Sequence, residues 1–196
     1  MLTDISIKIQ IELEHKDSVR EQTLRLCRET IRACGTAIKS IHRGEYEAGK
    51  KLLSIAGDSI SHIAIITQEH QDIYYSGYVT SAQQEYTEAA VILDFLENDT
   101  MPDPDTLCVE YGAYLCGLAD AVGEIRRYVL DSLRLDRKCD LEKMLNTMDS
   151  IYTILMSFDY PDAITKGLRQ KTDVARALVE KTRGDLTIAH ITTRIN

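Results

Sequence analysis

The sequence predicts an all-α protein, an antiparallel bundle of six to seven helices forming one domain over residues 1–196. Three observations predict it. Apolar residues recur at helical period along most of the chain, and no convincing strand run interrupts them. The joints between periodic stretches are short, which favours antiparallel neighbours. With 10 Gly and 3 Pro in 196 residues, and no repeat, low-complexity tract or Gly/Ser linker, nothing divides the chain into separate units.

Helices are expected at about 4–43, 45–75, 77–98, 105–135, 139–157 and 162–183. Gly44 after Arg43 reads as a C-terminal stop, Asp105 as an N-cap, and Asp140 before Leu141 and Glu142 as another helix start. Pro161 suits a first turn, where its missing N–H costs little. The tail 188–196 is expected to fray or to dock on another subunit.

Apolar content of 44% describes an ordinary globular chain able to bury a sizeable core. No stretch approaches the roughly 20 apolar residues of a membrane span, and no basic segment followed by an apolar one opens the chain, so a cytoplasmic protein without membrane association is expected. Cys27, Cys34, Cys108, Cys116 and Cys139 form no CxxC. They are expected to be small buried apolar residues in a reducing compartment. Neither GxGxxG nor GxxxxGK[ST] occurs, which argues against ATP-driven chemistry.

Chemistry concentrates in two carboxylate pairs at helical spacing, Glu85/Glu88 and Asp120/Glu124, on consecutive expected helices joined by the short acidic turn Asn98-Asp99-Thr100-Met101-Pro102-Asp103-Pro104. If these helices fold back antiparallel, four acidic donors converge. Such a cluster is stable only with protons or a divalent cation to screen it, which points to metal-dependent hydrolysis. Glu85 falls inside the apolar stripe Ala82, Tyr86, Ala89, Leu93, Leu96, with Glu88 on its flank. On the next helix, Leu115, Leu118, Ala119, Val122, Ile125 and Val129 form one apolar face. Asp120 and Glu124 lie nearly opposite with Ala113 and Gly117, small residues that permit a second close seam. The competing reading is that these acids are simply solvated, in a chain with 31 Asp and Glu.

A formal charge of −8 and a pI near 5.1 argue against indiscriminate nucleic-acid binding. Distribution is more telling than the sum. Arg25, Arg28, Arg32, Lys39 and Arg43 project within roughly 60° of one another on the first helix, a stripe able to track phosphates. A solvated face or an intersubunit ion-pair seam explains it equally well. Tyr74, Tyr75 and Tyr78 are candidate base-stacking rings that also suit a core. His15, His42, His62, His70 and His190 are scattered, with no pair at metal-ligand spacing. Glu12-Leu13-Glu14-His15 is one ExxH where a di-iron bundle needs two. Asp103-Pro104-Asp105-Thr106-Leu107 echoes a haloacid-dehalogenase nucleophile loop, but lacks the buried strand that such a loop follows.

The wording around the acids adds to this. Gln84-Glu85-Tyr86-Thr87-Glu88-Ala89, and then Tyr114-Leu115-Cys116-Gly117-Leu118-Ala119-Asp120-Ala121-Val122-Gly123-Glu124-Ile125, closely resemble the translin/Trax family and within it the nuclease-competent Trax branch. The likeness extends through Tyr160-Pro161-Asp162-Ala163-Ile164 and Gly167-Leu168-Arg169-Gln170-Lys171-Thr172-Asp173, covering about Asp17 to Arg183. The turn between the acidic helices is shorter than the insertion of eukaryotic Trax proteins, as in a compact prokaryotic version, so no second subunit type is carried over.

The resemblance implies a Mg²⁺-dependent endoribonuclease, with Mn²⁺ as an alternative, acting on single-stranded RNA inside an oligomeric barrel. It assigns catalytic roles to Glu85, Glu88, Asp120 and Glu124. Glu88 and Glu124 are expected to hold the metal, while Glu85 and Asp120 orient or deprotonate water to give 5′-phosphate and 3′-hydroxyl products. It further implies a homo-octamer that binds single-stranded RNA, or single-stranded DNA, through Arg25, Arg28, Arg32, Lys39 and Arg43. Two alternatives stand beside it: a non-catalytic translin-like binding module, and an all-α MazG-like NTP pyrophosphohydrolase.

Overall fold

A computed structural model of the chain describes residues 1–137 and 139–195, apart from the side chains of residues 193–195. The fold is all-α, as the periodicity predicts. Among the described residues six long helices carry the bundle: α1 (Leu2–His42), α2 (Tyr46–Ile66), α4 (Gly77–Asn98), α6 (Tyr111–Arg134), α7 (Leu141–Leu155) and α9 (Leu168–Ile195). Single-turn helices α3 (Gln71–Tyr74), α5 (Pro104–Leu107) and α8 (Asp162–Thr165) lie in the connections.

Several expected punctuation marks act as read. Helix α1 ends at His42, and Gly44 takes φ +79°, where a side chain would be strained. The Asp140 carboxylate accepts from the Lys143 backbone N–H at 2.9 Å and starts α7. Elsewhere the chain departs from expectation. The stretch 45–75 is two helices: the polar run Thr67-Gln68-Glu69-His70 turns out at Thr67 (φ −98°, ψ 6°), and α3 restarts after His70. Asp103, not Asp105, is the N-cap of α5; it accepts from Thr106 N–H at 2.9 Å, because Pro104 already occupies the first helical position. Cys108 then adopts the left-handed conformation (φ 54°), so α6 begins only at Tyr111. Pro161 is the N-cap of α8 instead of a first-turn residue, and left-handed Lys166 and Gly167 separate α8 from α9. Helix α9 continues to Ile195, through most of the tail expected to fray; residue 196 lies outside the described residues.

Contacts fix the helix directions. Ile41 lies against Gly49 and Lys50 pairs with Glu97 at 2.7 Å, while Gly57 meets the Tyr86 hydroxyl, so α2 runs antiparallel to both α1 and α4. The acid-bearing helices do not form the expected antiparallel hairpin. Gln83 meets the Glu110 N–H, Gly117 meets Gln84 and Thr87, and Glu85 and Glu88 share a cleft with Ala119, Asp120 and Gly123, so α4 and α6 run parallel. The connection 99–110 therefore travels back along the bundle. It arrives with Leu107 and Val109 packed among Ile60, Ile63 and Val79 at the start of α4. Asp120–Lys171 and Arg126–Asp185 place α9 parallel to α6, and Asp149–Arg183 ties α7 to α9.

The main core joins Ile41, Ile92, Val122, Ile125, Val129, Met148, Ile151 and Leu155, and a second cluster gathers around Ile60, Ile63 and Val79. Tyr86 and Tyr114 pack against both. Each fully buried aliphatic side chain contributes about 1.5–3 kcal/mol. Three cysteines, Cys27, Cys34 and Cys116, behave as the expected small core residues, with burial pushing their thiols up to about 11, 12 and 11. Cys108 is exposed and Cys139 only partly buried, because each sits in a connection instead of on a helix face. No helix among the described residues is long and apolar enough to cross a membrane.

Candidate active site

The site begins with a missing side chain. A Cβ on Gly117 would stand 2.6 Å from the Gln84 carbonyl oxygen and 2.7 Å from Thr87 Cβ, so α6 reaches the backbone of α4 only because this position is glycine. This is the small-residue seam expected from the sequence. The close approach brings Glu85 and Glu88 of α4 opposite Asp120 of α6, with Gly123 one turn on. The three carboxylates line one cleft of about 570 Å³, closed on its far side by Gln170, Lys171, Val174 and Leu178 of α9.

The acids receive different electrostatic treatment. Burial pushes the Glu88 carboxyl up to about 8, and Asp120, Glu85 and Glu124 add like-charge repulsion that Lys171 only partly offsets. Burial first, and then Asp120, raises Glu85 in the same direction. Asp120 is gripped by Lys171, whose ammonium donates to Oδ1 at 2.7 Å and also to Oδ2. Glu124 lies one turn beyond Asp120, outside the cleft lining. Its Oε2 accepts from His42 Nε2 at 2.6 Å, with Arg127 at 3.5 Å, and the His42 hydrogen bond holds its carboxyl below the usual carboxylate range. The four acids sense one another, but three share the cleft and the fourth leans toward α1.

Among the described residues no group of three or more Asp, Glu, His or Cys side chains is placed to hold a metal ion as it stands, and two of the acids pair with Lys171 and His42. The chemistry of the donor set nevertheless fits a hard divalent cation. Four carboxylates offer only oxygen ligands, and the burial and like-charge repulsion that raise Glu88 to about 8 are what a bound cation would offset.

The basic stripe lies elsewhere. Arg25, Arg28, Arg32 and Lys39 are exposed on α1, opposite the face that packs in the core, with Arg43 exposed at its C-cap, and none lines the cleft. Arg43 is chelated by Glu45 at 2.7 Å, and Arg25 approaches Glu29 at 3.9 Å. Of the candidate stacking rings, Tyr74 and Tyr78 pack against the second core cluster, while Tyr75 is exposed and meets Tyr74 edge to face at 5.1 Å between ring centres. His15 and His70, scattered in sequence, meet at 3.3 Å. Asp103 and Asp105 of the phosphatase-like run serve local structure: one caps α5 and the other accepts from the Tyr111 hydroxyl at 3.1 Å.

Spacing arguments missed His42 and Lys171 as partners of the acids. Lys171 falls inside the C-terminal stretch on which the family likeness rests. His42 carries no sequence signal, because it stands 82 residues from its partner.

An all-α bundle with a carboxylate-lined cleft between two parallel helices defines the class. The chain belongs to the translin family, whose model matches residues 18–183. An uncharacterised protein of Methanocaldococcus jannaschii is 33% identical over 176 residues, covering 89% of this chain and 78% of that protein. Among solved structures, AfC3PO in its complex with duplex RNA superposes with a TM-score of 0.86 at 32% identity over 100% of both chains. AfC3PO in another crystal structure gives 0.85 at 33%, also over 100% of both. Apo-NeC3PO, at 20% identity over 96% of each chain and a TM-score of 0.78, is a likeness of fold alone.

Proposed function

We propose that this protein is a divalent-cation-dependent endoribonuclease of the Trax-like kind, cutting RNA at the cleft between α4, α6 and α9. The observation that carries the reading is the convergence of Glu85, Glu88 and Asp120 in one cleft with Glu124 beside it. AfC3PO, which aligns over this whole chain, was solved with duplex RNA, so duplex and single-stranded RNA are both substrates to test.

In this reading Glu88 and Glu124 hold Mg²⁺ or Mn²⁺. When bound, the cation supplies Lewis-acid stabilisation of the charge developing on the scissile phosphate. Glu85 takes the proton of the attacking water, because a carboxyl raised by burial is a stronger base near neutral pH. Lys171 holds Asp120 in place and puts positive charge at the cleft, where a phosphate must approach carboxylates. Water attacks phosphorus as Glu85 takes its proton, the bond from phosphorus to the 3′-oxygen breaks, and that oxygen picks up a proton from solvent water, giving 5′-phosphate and 3′-hydroxyl ends. The basic stripe of α1 tracks RNA backbone outside the cleft. A homo-octamer enclosing the clefts is the assembly this reading expects.

A second reading, the non-catalytic RNA-binding module, draws on Asp120 and Glu124 being already paired with Lys171 and His42. The test is labelled RNA, single-stranded and duplex, incubated with Mg²⁺ or with EDTA, using the wild type and Glu88→Ala. The nuclease reading expects cleavage that needs Mg²⁺ and falls on the order of 10²–10³-fold in the variant. Bound but uncut RNA, or undiminished cutting by Glu88→Ala, contradicts it. An NTP control that releases pyrophosphate would point to the MazG-like alternative.

A further inference from the structure

We infer that His42 is a positioning residue for Glu124: through Nε2 it fixes the carboxylate that the nuclease reading assigns to the cation. The inference rests on that reading for the role of Glu124, but its geometry stands by itself. His42 is the last residue of α1, 6% exposed, and the turn at Gly44 stops the helix just beyond it. Its backbone carbonyl accepts from Arg137 Nη1 at 3.1 Å, and its ring lies 6.2 Å from that of Tyr128. Backbone and ring are thus both held from outside α1.

The ring's own hydrogen bonding is lopsided. Nε2 meets Glu124 Oε2 at 2.6 Å, whereas Nδ1 is buried with no hydrogen-bond partner. An ionised Glu124 is an acceptor only, so Nε2 carries the hydrogen. Nδ1, buried and without a hydrogen-bond partner, contributes nothing that would explain the ring's placement. A ring buried with one unmet nitrogen is hard to explain as core filling, and is explained by the hydrogen bond that its other nitrogen makes.

The consequence falls on Glu124. A glutamate has three side-chain torsions to freeze, at an entropic cost that a pre-formed hydrogen bond removes from cation binding. His42 and Arg127 both meet Oε2, so Oε1 is the oxygen left for a cation. Groups that orient a liganding carboxylate in this way typically change metal affinity or activity by about 10–100-fold.

The test measures Mn²⁺ binding to the apo protein by calorimetry, together with kcat and KM on RNA, for the wild type, His42→Ala, His42→Gln, Glu124→Ala and the His42→Ala/Glu124→Ala pair. Gln can place an amide N–H near the position of Nε2. His42→Ala should weaken Mn²⁺ binding at least tenfold and lower kcat with KM for RNA little changed, and His42→Gln should recover most of both. In the Glu124→Ala background, removing His42 should cost Mn²⁺ affinity nothing further. His42→Gln, whose side chain still fills much of the ring's space, keeps the inference testable if His42→Ala folds poorly. Wild-type Mn²⁺ affinity in a folded His42→Ala, or full additivity with Glu124→Ala, overturns the inference while leaving the nuclease reading intact. A wild type that neither binds Mn²⁺ nor cuts RNA overturns both.

Discussion

The two carboxylate pairs have the same residue chemistry and comparable helical spacing, yet the fold treats them oppositely. On α4, Glu85 and Glu88 are desolvated without a cation of their own, and both carboxyls are pushed up, Glu88 to about 8. On α6, Asp120 and Glu124 each receive a basic partner from a distant helix, Lys171 of α9 and His42 of α1. One pair is hydrogen-bonded by side chains of other helices and the other is not. Under the nuclease reading, the desolvated α4 pair is the half that the proposed cation would relieve most.

The largest disturbance of this arrangement should come from Gly117→Val. Its new side chain has no room before the Gln84 carbonyl at 2.6 Å, so α6 must move off α4 and separate the pairs. We expect a loss of about 1–3 kcal/mol or more, several degrees in Tm, with cleavage lost as the cleft opens. A wild-type melting curve would mean that the close approach does not hold the two pairs together. A smaller effect should follow from replacing Arg25, Arg28 and Arg32 by Ala. These exposed side chains lie away from both pairs, so cation binding should be unchanged while RNA affinity falls. The slope of log affinity against log salt should decrease by about 2 for a single strand. An unchanged slope would remove the stripe from the RNA interface.

How much of this was legible in the chain differs by element. Helix α4 occupies 77–98 as its apolar stripe indicates, and Gly44 and Asp140 mark boundaries because their reasons are local, a positive φ and a side-chain cap. The seam at Gly117 was legible too, since small residues opposite an apolar face admit another helix. The break at 67–70 was not, because apolar periodicity carries across four polar residues without registering a turn. The parallel course of α6 was hidden in the connection 99–110, whose return along the bundle depends on Leu107 and Val109 finding the cluster around Ile60 and Val79. The partners His42 and Lys171 were illegible from spacing for the same reason: pairing across 82 and 51 residues is a property of packing, not of a motif.

The most direct measurement is thermal unfolding of the wild type and Glu88→Gln at pH 5 and pH 8, with and without Mg²⁺. A carboxyl raised from 4.5 to about 8 costs nothing below its ordinary range, and its ionisation erodes stability progressively as the pH climbs to 8. The wild type should therefore lose Tm relative to Glu88→Gln between pH 5 and 8. Mg²⁺ at pH 8 should restore much of that loss in the wild type and far less in the variant, because a cation bound only by the folded cleft adds its binding free energy to stability. Wild-type and variant curves that run together across this range, unmoved by Mg²⁺, would contradict the proposal that Glu88 is a buried carboxyl that helps hold a cation.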